Sequence, residues 1–213
     1  MGPQRRAARA SAPRLAGTLP VVDPADLPAA DDWIGADVKG GRNDPDSSPP
    51  EVSGCRFTNC SIVGAALEDV RMHDVLFEGC DLSGLDLGGA KLDNVVMLPS
   101  RVDGSSFRAV RGKNVEREEC DLSGTDFSGA ELDGARLVGC DLTGCQFSGA
   151  KLSGARLDRS VLDEIRGVAG LKGVVIDPTQ AVSLGLLMLG AMDVRIDAGD
   201  STDGCSASAD EFR

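Results

Sequence analysis

The chain has 213 residues, 41% of them hydrophobic and only 3% aromatic, with a net charge of −12. That acidity excludes direct binding to nucleic acid, which needs Lys and Arg to displace counterions, and docking on an anionic membrane surface. With one Trp, no Tyr and six Phe, the core must be built from Leu, Val, Ala and Cys rather than from large aromatics.

Residues 1–30 are rich in Ala, Pro and Arg without a sustained period, and read as a disordered tail. No apolar segment of secretory length follows Arg5, Arg6, Arg9 and Arg14. No apolar run of about 20 residues occurs at all, so neither a signal peptide nor a membrane span is expected. The expected location is the cytoplasm of a bacterium. Residues 31–54 read as an irregular first coil and a loop: Trp33 and Val38 are five apart, and 39–50 (KGGRNDPDSSPP) is rich in turn formers.

A strict period of five then runs from Phe57 to Leu162. Of its 22 central positions, twenty are large and apolar, the exceptions being the adjacent Gly112 and Arg117. Two residues before the centre the side chain is small or medium, as at Cys60, Ala65, Val70 and Ala130. Two after it Gly recurs, as at Gly64, Gly84, Gly124 and Gly144. Neither helical spacing nor strand alternation gives this period, and the segments CDLSGLDLGGAKLDN and CDLTGCQFSGAKLSG show the unit plainly. Such an internal repeat marks a solenoid.

The unit resembles that of the pentapeptide-repeat family, small–Asp/Asn–Leu/Phe–Ser/Thr/Arg–Gly. The resemblance implies an all-β solenoid, a right-handed quadrilateral parallel β-helix in which each unit makes one side and four units make one coil. Over residues 55–176 this gives about five to six coils, each stacked about 4.8 Å on the last. A large and a small residue from every side fill the square interior, and Gly near each corner lets the chain bend.

With four faces assigned, the charges sort themselves. The face of residues 60–64 and its repeats is net −5, the next −3, the next +1 and the last neutral. The first two make an acidic edge of net −8, with Asp81, Asp86, Asp103, Asp121, Asp126 and Asp141 as its candidate binding residues. Over the same length of roughly 26 Å, B-DNA carries about 15 charges.

Cys60, Cys80, Cys120 and Cys140, with Ser100 between, fall in one inward column; Cys is read there as a small hydrophobe. The single His73 points outward among Asp74, Asp93 and Lys113, and one imidazole makes no metal site. An Arg cannot sit unpaired in a dry interior. Arg111, Gly112, Lys113 and Arg117 are therefore expected to form an irregular loop, with Arg117 turned to solvent or paired with Glu118 or Glu119. No nucleophile motif, phosphate loop or metal-ligand spacing occurs, so no catalytic residue, metal or cofactor is expected.

After Leu162 the repeat fades. Asp177, Pro178 and Gln180 make a capping-box start for a helix within 177–192, expected to cap the open end of the rod. Val182, Leu186 and Leu189 are expected on the last coil, leaving Leu184, Leu187 and Met188 as a dimer surface; relatives in the resembled family dimerise end to end. The tail 198–213 reads as disordered, with Cys205 its exposed thiol. The favoured function is a non-enzymatic scaffold presenting a rigid, partly acidic face to a protein partner. The second reading, implied by the resemblance, is a DNA mimic that binds a type II topoisomerase such as DNA gyrase, as in quinolone-resistance members. An enzyme is the least favoured reading.

Overall fold

A large residue at every fifth position can be buried only if the chain turns after each unit. A computed structural model, describing residues 13–15, 20–22, 33–39 and 49–194, has this geometry. Its strands are β1 Val21–Val22, β2 Trp33–Ile34, β3 Asp37–Lys39, β4 Glu51–Ser53, β5 Arg56–Thr58, β6 Arg71–Glu78, β7 Lys91–Met97, β8 Arg111–Lys113, β9 Glu116–Glu118 and β10 Arg136–Val138. All pair in parallel. β6 meets β7 with Met72 opposite Leu92 and Phe77 opposite Met97, an offset of 20 residues. The other faces keep that offset through single bridges, such as Asp81 to Arg101 to Asp121 to Asp141. The chain is a four-sided parallel solenoid of about five regular coils closed by one short helix.

The centres are the core. Phe57, Leu87, Leu122, Leu132 and Leu157 are fully buried. Stacking in register brings like side chains face to face: Phe57 on Phe77 with centroids 4.8 Å apart, and Phe107, Phe127 and Phe147 in a column at 5.3 and 5.2 Å. The corners fall two residues after each centre, in the left-handed region. Gly124 and Gly144 take φ of 66° and 70° there, a conformation that penalises any Cβ. Ala109, Asn114 and Glu119 occupy three successive corners with φ of 54°, 52° and 54°. The strained corners thus surround the two atypical centres, Gly112 and Arg117.

Before residue 55 the solenoid continues less regularly. β4 pairs with β2 and β5 with β3 at offsets of 19, and β1 pairs with β3 at an offset of 16. The expectation of a disordered tail over 1–30 therefore fails at residues 20–22, because the free edge of β3 offers main-chain groups for β1 to pair. Most of that tail, residues 40–48 of the loop, and the 198–213 tail with Cys205 lie outside the described residues.

At the far end the turn Val168–Leu171 lies directly on the last coil: a Cβ on Gly170 would stand 2.0 Å from the Phe147 carbonyl. The capping box forms: Asp177 Oδ1 accepts from the Thr179 N–H (2.8 Å) and Gln180 Oε1 from the Asp177 N–H (3.0 Å). Helix α1, Ala181–Ala191, follows. Its buried face differs from the expected one. Leu184 is buried and Leu187 packs on the core, while Val182, Leu186, Met188 and Met192 are exposed. The cause is Gln180, whose buried amide donates to the carbonyls of Leu157 (2.8 Å) and Ser160 (2.6 Å). That bond sets the helix phase, and positions four and seven residues on face the same way.

Two outcomes test this register. Leu132→Asp places an unpaired carboxylate in the core and is expected to unfold the protein by circular dichroism; Ser128→Ala, on the outside, is expected to change stability by less than about 1 kcal/mol. Ala109→Gly relieves a left-handed corner and is expected to raise stability by about 1 kcal/mol in chemical denaturation.

Candidate functional site

The six acidic candidates lie on two adjacent walls, and five of them, Asp81, Asp86, Asp121, Asp126 and Asp141, bond the backbone of their own turn, while Asp103 meets Ser83 of the neighbouring coil. Asp121 Oδ1 accepts from the Ser123 N–H (3.0 Å) and hydroxyl (2.7 Å). Asp141 accepts from Thr143, Asp86 from Gly88 and Asp126 from Ser128 in the same two-residue pattern. The Ser83 hydroxyl stands 2.6 Å from both Asp81 and Asp103. A side chain bonding the backbone two residues on is a turn-forming device, so the repeat's acidity has a structural cause. These bonds also fix the carboxylates in direction. Two cations interrupt the array: Arg101 lies 3.3 Å from Asp103, and Arg108 lies 3.0 Å from Asp126.

The third wall carries Arg71, Lys91 and Arg111 in register on successive coils. With Lys113, His73, Glu51, Asp93, Glu131 and Asp133 they line a shallow groove of about 630 Å³. Its ends are acidic and its middle basic. Glu131 accepts from Lys151 at 2.7 Å and lies 3.5 Å from Arg111. His73 stands between two carboxylates, Asp74 at 3.1 Å and Asp93 at 3.4 Å. Burial alone would raise the Asp74 carboxyl, but the Arg14 N–H (3.0 Å), the Asn94 amide and His73 outweigh it and hold it below the ordinary range. Among the described residues no group of three His, Cys, Asp or Glu is placed to hold a metal ion.

The expected loop around Gly112 does not exist. Arg111–Lys113 is β8, in register with β7. The space that Gly112 vacates is taken by Leu132 and Val115, whose methyl carbons would stand 2.5 and 2.7 Å from an added Cβ. Arg117 is neither turned outward nor paired with Glu118 or Glu119. It is fully buried in the Phe77–Met97–Leu137 column, its three guanidinium nitrogens are without partners, and its Cζ lies 4.4 Å from the Phe107 ring centroid. Turning it out would break the ladders of β9 with β7 and with β10, and a one-residue slip reverses every side chain of a strand. Glu116 and Glu118 instead pair with Arg136, at 2.6 and 3.8 Å, away from Arg117. Burial lowers the Arg117 pKa to about 10, with the nearby Cys120 and Cys140 opposing the fall, so it stays cationic at neutral pH.

The inward small position carries a role that the sequence reading missed. Cys140 Sγ lies 3.5 Å from the Arg117 carbonyl and Cys145 Sγ 3.0 Å from that of Leu122; Thr125 and Ser160 donate equivalently to Val102 (3.1 Å) and Leu137 (2.8 Å). Each donates to the centre 23 residues earlier, on the coil below. Gln180 repeats the step to Leu157. Cys, Ser and Thr are thus donors as well as small fillers. The signal was present in their interchange along one column.

A four-sided parallel β-solenoid with one side per five residues defines a class of repeat protein. The chain belongs to the pentapeptide-repeat family: the model for pentapeptide repeats matches eight copies over residues 60–97 and 119–163. The stretch between contains Pro99, Gly112 and Arg117. Solved structures with a similar fold include a trypsin-treated variant of QnrB1, a plasmid-mediated fluoroquinolone resistance protein (20% identity, TM-score 0.43, covering 84% of this chain and 100% of that one). Another is HetL from the cyanobacterium Nostoc sp. strain PCC 7120, involved in heterocyst differentiation regulation (18%, TM-score 0.33, covering 74% and 89%). A third is a protein of the Arabidopsis thaliana thylakoid lumen (21%, TM-score 0.21, covering 58% and 82%). No curated protein matches the chain by sequence.

Arg117→Met replaces a buried unpaired cation with an apolar side chain. It is expected to raise stability by about 1–2 kcal/mol in urea denaturation; a loss of that size would reveal a partner for the guanidinium. The pH dependence follows from the paired carboxylates. Burial raises Asp126, but Ser128 and Arg108 more than offset it, and Lys151 draws Glu131 down. A folded pKa below the unfolded value gives stability that is present at neutral pH and lost as pH falls through the folded value. The melting temperature is therefore expected to stay level from neutral pH to about 5 and to drop below about 4.

Proposed function

We propose that this chain is a non-enzymatic scaffold that presents a rigid, partly acidic wall to a protein partner, in the cytoplasm of a bacterium. The observation that carries the reading is the ordered acidic array. Asp81, Asp121 and Asp141 share one column and Asp86 and Asp126 the next, on coils stacked about 4.8 Å apart, with Arg101 and Ser106 on the coil between the first two members of each. Each Asp has a carboxylate oxygen tied to its own turn. A surface ordered before binding loses little side-chain entropy when a partner arrives. Its charge steers a cationic partner, and a flat wall suits a protein surface, whereas small molecules need a concave site.

The second reading is a DNA mimic that acts on a type II topoisomerase such as DNA gyrase. The acidic edge of net −8 favours it, although that is about half the charge of B-DNA over the same length. Separately, the exposed Val182, Leu186 and Met188 on α1, with Met192 at its C-terminal end, form an apolar patch at the rod's end. We propose a twofold dimer through this helix, since such a patch on a soluble chain marks an interface.

Tagged protein captured from its native cell, compared with an Asp81→Lys/Asp121→Lys/Asp141→Lys variant, tests the scaffold. A partner lost by the variant and kept by Arg71→Glu/Arg111→Glu supports the acidic wall; the reverse pattern sinks it. Inhibition of gyrase supercoiling by the wild type, abolished in the acidic-wall variant, would select the DNA mimic. Sedimentation at micromolar concentration is expected to give a dimer that Leu186→Glu converts to a folded monomer.

A further inference from the structure

The third wall carries cations that the rest of this acidic rod leaves uncompensated. Arg71, Lys91 and Arg111 stand on successive rungs of β6, β7 and β8, with Lys113 two residues along on the last of them. They flank the groove of about 630 Å³. Among the described residues Lys91 and Lys113 make no ion pair. Arg71 meets Glu51 only at 4.0 Å, and Arg111 shares Glu131 with Lys151, which holds it at the shorter 2.7 Å. Asp93, the carboxylate in the middle of the groove, faces His73 at 3.4 Å. The chain itself supplies a complement. Its last described residue, Val194, lies just past α1 at the closed end of the rod. Beyond it come Asp197, Asp200, Asp203, Asp210 and Glu211, with no cation between 197 and 211. From Val194 to Glu211 the chain can span about 55 Å. The Lys91 rung is three rungs from that of Lys151, or about 14 Å, so the segment reaches the whole groove even after passing α1, itself about 16 Å long.

We propose that the acidic segment 197–211 occupies the third-wall groove of its own chain, its carboxylates on Arg71, Lys91, Arg111 and Lys113. Exposed ion pairs of this kind are individually weak. A tethered segment meets its site at an effective concentration near millimolar, so a few such pairs suffice within one chain where they would not hold a separate partner. Occupancy has a definite effect on the surface. The basic wall is closed to acidic partners until the segment is displaced, while the two acidic walls stay open. The inference is independent of the acidic-wall reading, since it concerns a different face.

The chain carries its own probes. Trp33 is its single Trp, and Cys205 lies within the segment while the other six cysteines are buried in the rod. An acceptor dye on Cys205 of the full-length protein therefore reports the segment's position by energy transfer from Trp33. The Lys91 rung lies three rungs from Trp33, through Val52 and Met72, or about 14 Å, and the Lys151 rung on the cap side six rungs away, or about 29 Å. A docked segment at the nearer rung is expected to cost Trp33 about half of its emission on labelling at low salt, independently of protein concentration. Emission should recover in about 0.5 M salt, where the screening length is about 4 Å. It should recover equally in Lys91→Gln/Lys113→Gln and in Asp200→Asn/Asp203→Asn/Asp210→Asn, but not in Arg101→Gln/Arg108→Gln on the acidic walls. Undiminished Trp33 emission at low salt overturns the inference, as does a loss that survives the Asp→Asn changes. A loss that grows with protein concentration also overturns it, by placing the segment of a second copy in the groove. Should Lys91→Gln/Lys113→Gln fail to fold, the Asp→Asn variant, altered only outside the rod, decides alone.

Discussion

Main-chain pairing between a residue and its counterpart twenty positions later holds everything else in place. The Asp81 N–H donates to the Cys60 carbonyl at 2.8 Å, and the Asp81 carbonyl accepts from the Ile62 N–H at 2.7 Å; the same exchange recurs up each face. Every coil is both product and template of its neighbours, as in other repeat arrays. The interior is narrow, so each side contributes one large and one small residue. The corners are sharp, so the residue two after each centre must accept a positive φ. Sequence period, core composition and glycine placement are three consequences of one ladder.

The same ladder explains what could be read from the sequence. Inward and outward positions follow from the period alone, which is why the phenylalanine columns, the cysteine column and the acidic walls were legible. Arg117 was misjudged because its own solvation was weighed against nothing. In the fold, exposing it would cost β9 its hydrogen bonds to both neighbouring strands, and backbone groups are expensive to leave unpaired. The helix face was misjudged for a different reason. An apolar helix has no amphipathic stripe to reveal its phase, and the phase is set by one polar contact, Gln180 on the last coil. The donor role of the inward Cys, Ser and Thr was obscured because a thiol reads first as a hydrophobe.

These constraints bear on what an acidic wall means. Asp at the second position of a unit bonds the backbone two residues on, so it is chosen for the turn before it is chosen for a partner. Binding would reuse that structural choice. The carboxylates already stand in fixed rows on the outer walls, and specificity would then rest on where the rows are interrupted, at Arg101 and Arg108. Net charge alone says little about the partner; the positions of the cations within the row say more.

A solenoid also tolerates a defect that a globular core would not. Each coil touches only its neighbours, so the strain around Gly112 and Arg117 is confined to the coils that flank it. The surroundings bear this out: Leu132 and Val115 fill the missing centre, Phe107 covers the guanidinium, and three non-glycine corners lie within ten residues. Phe127 and Leu137, one coil on, are again fully buried, with Phe127 stacked on Phe107 and Leu137 in register with Arg117. A break that would spread through a shared core is here confined by the one-dimensional order of the contacts. The rod can therefore hold a charged group at its centre and keep its outer walls straight.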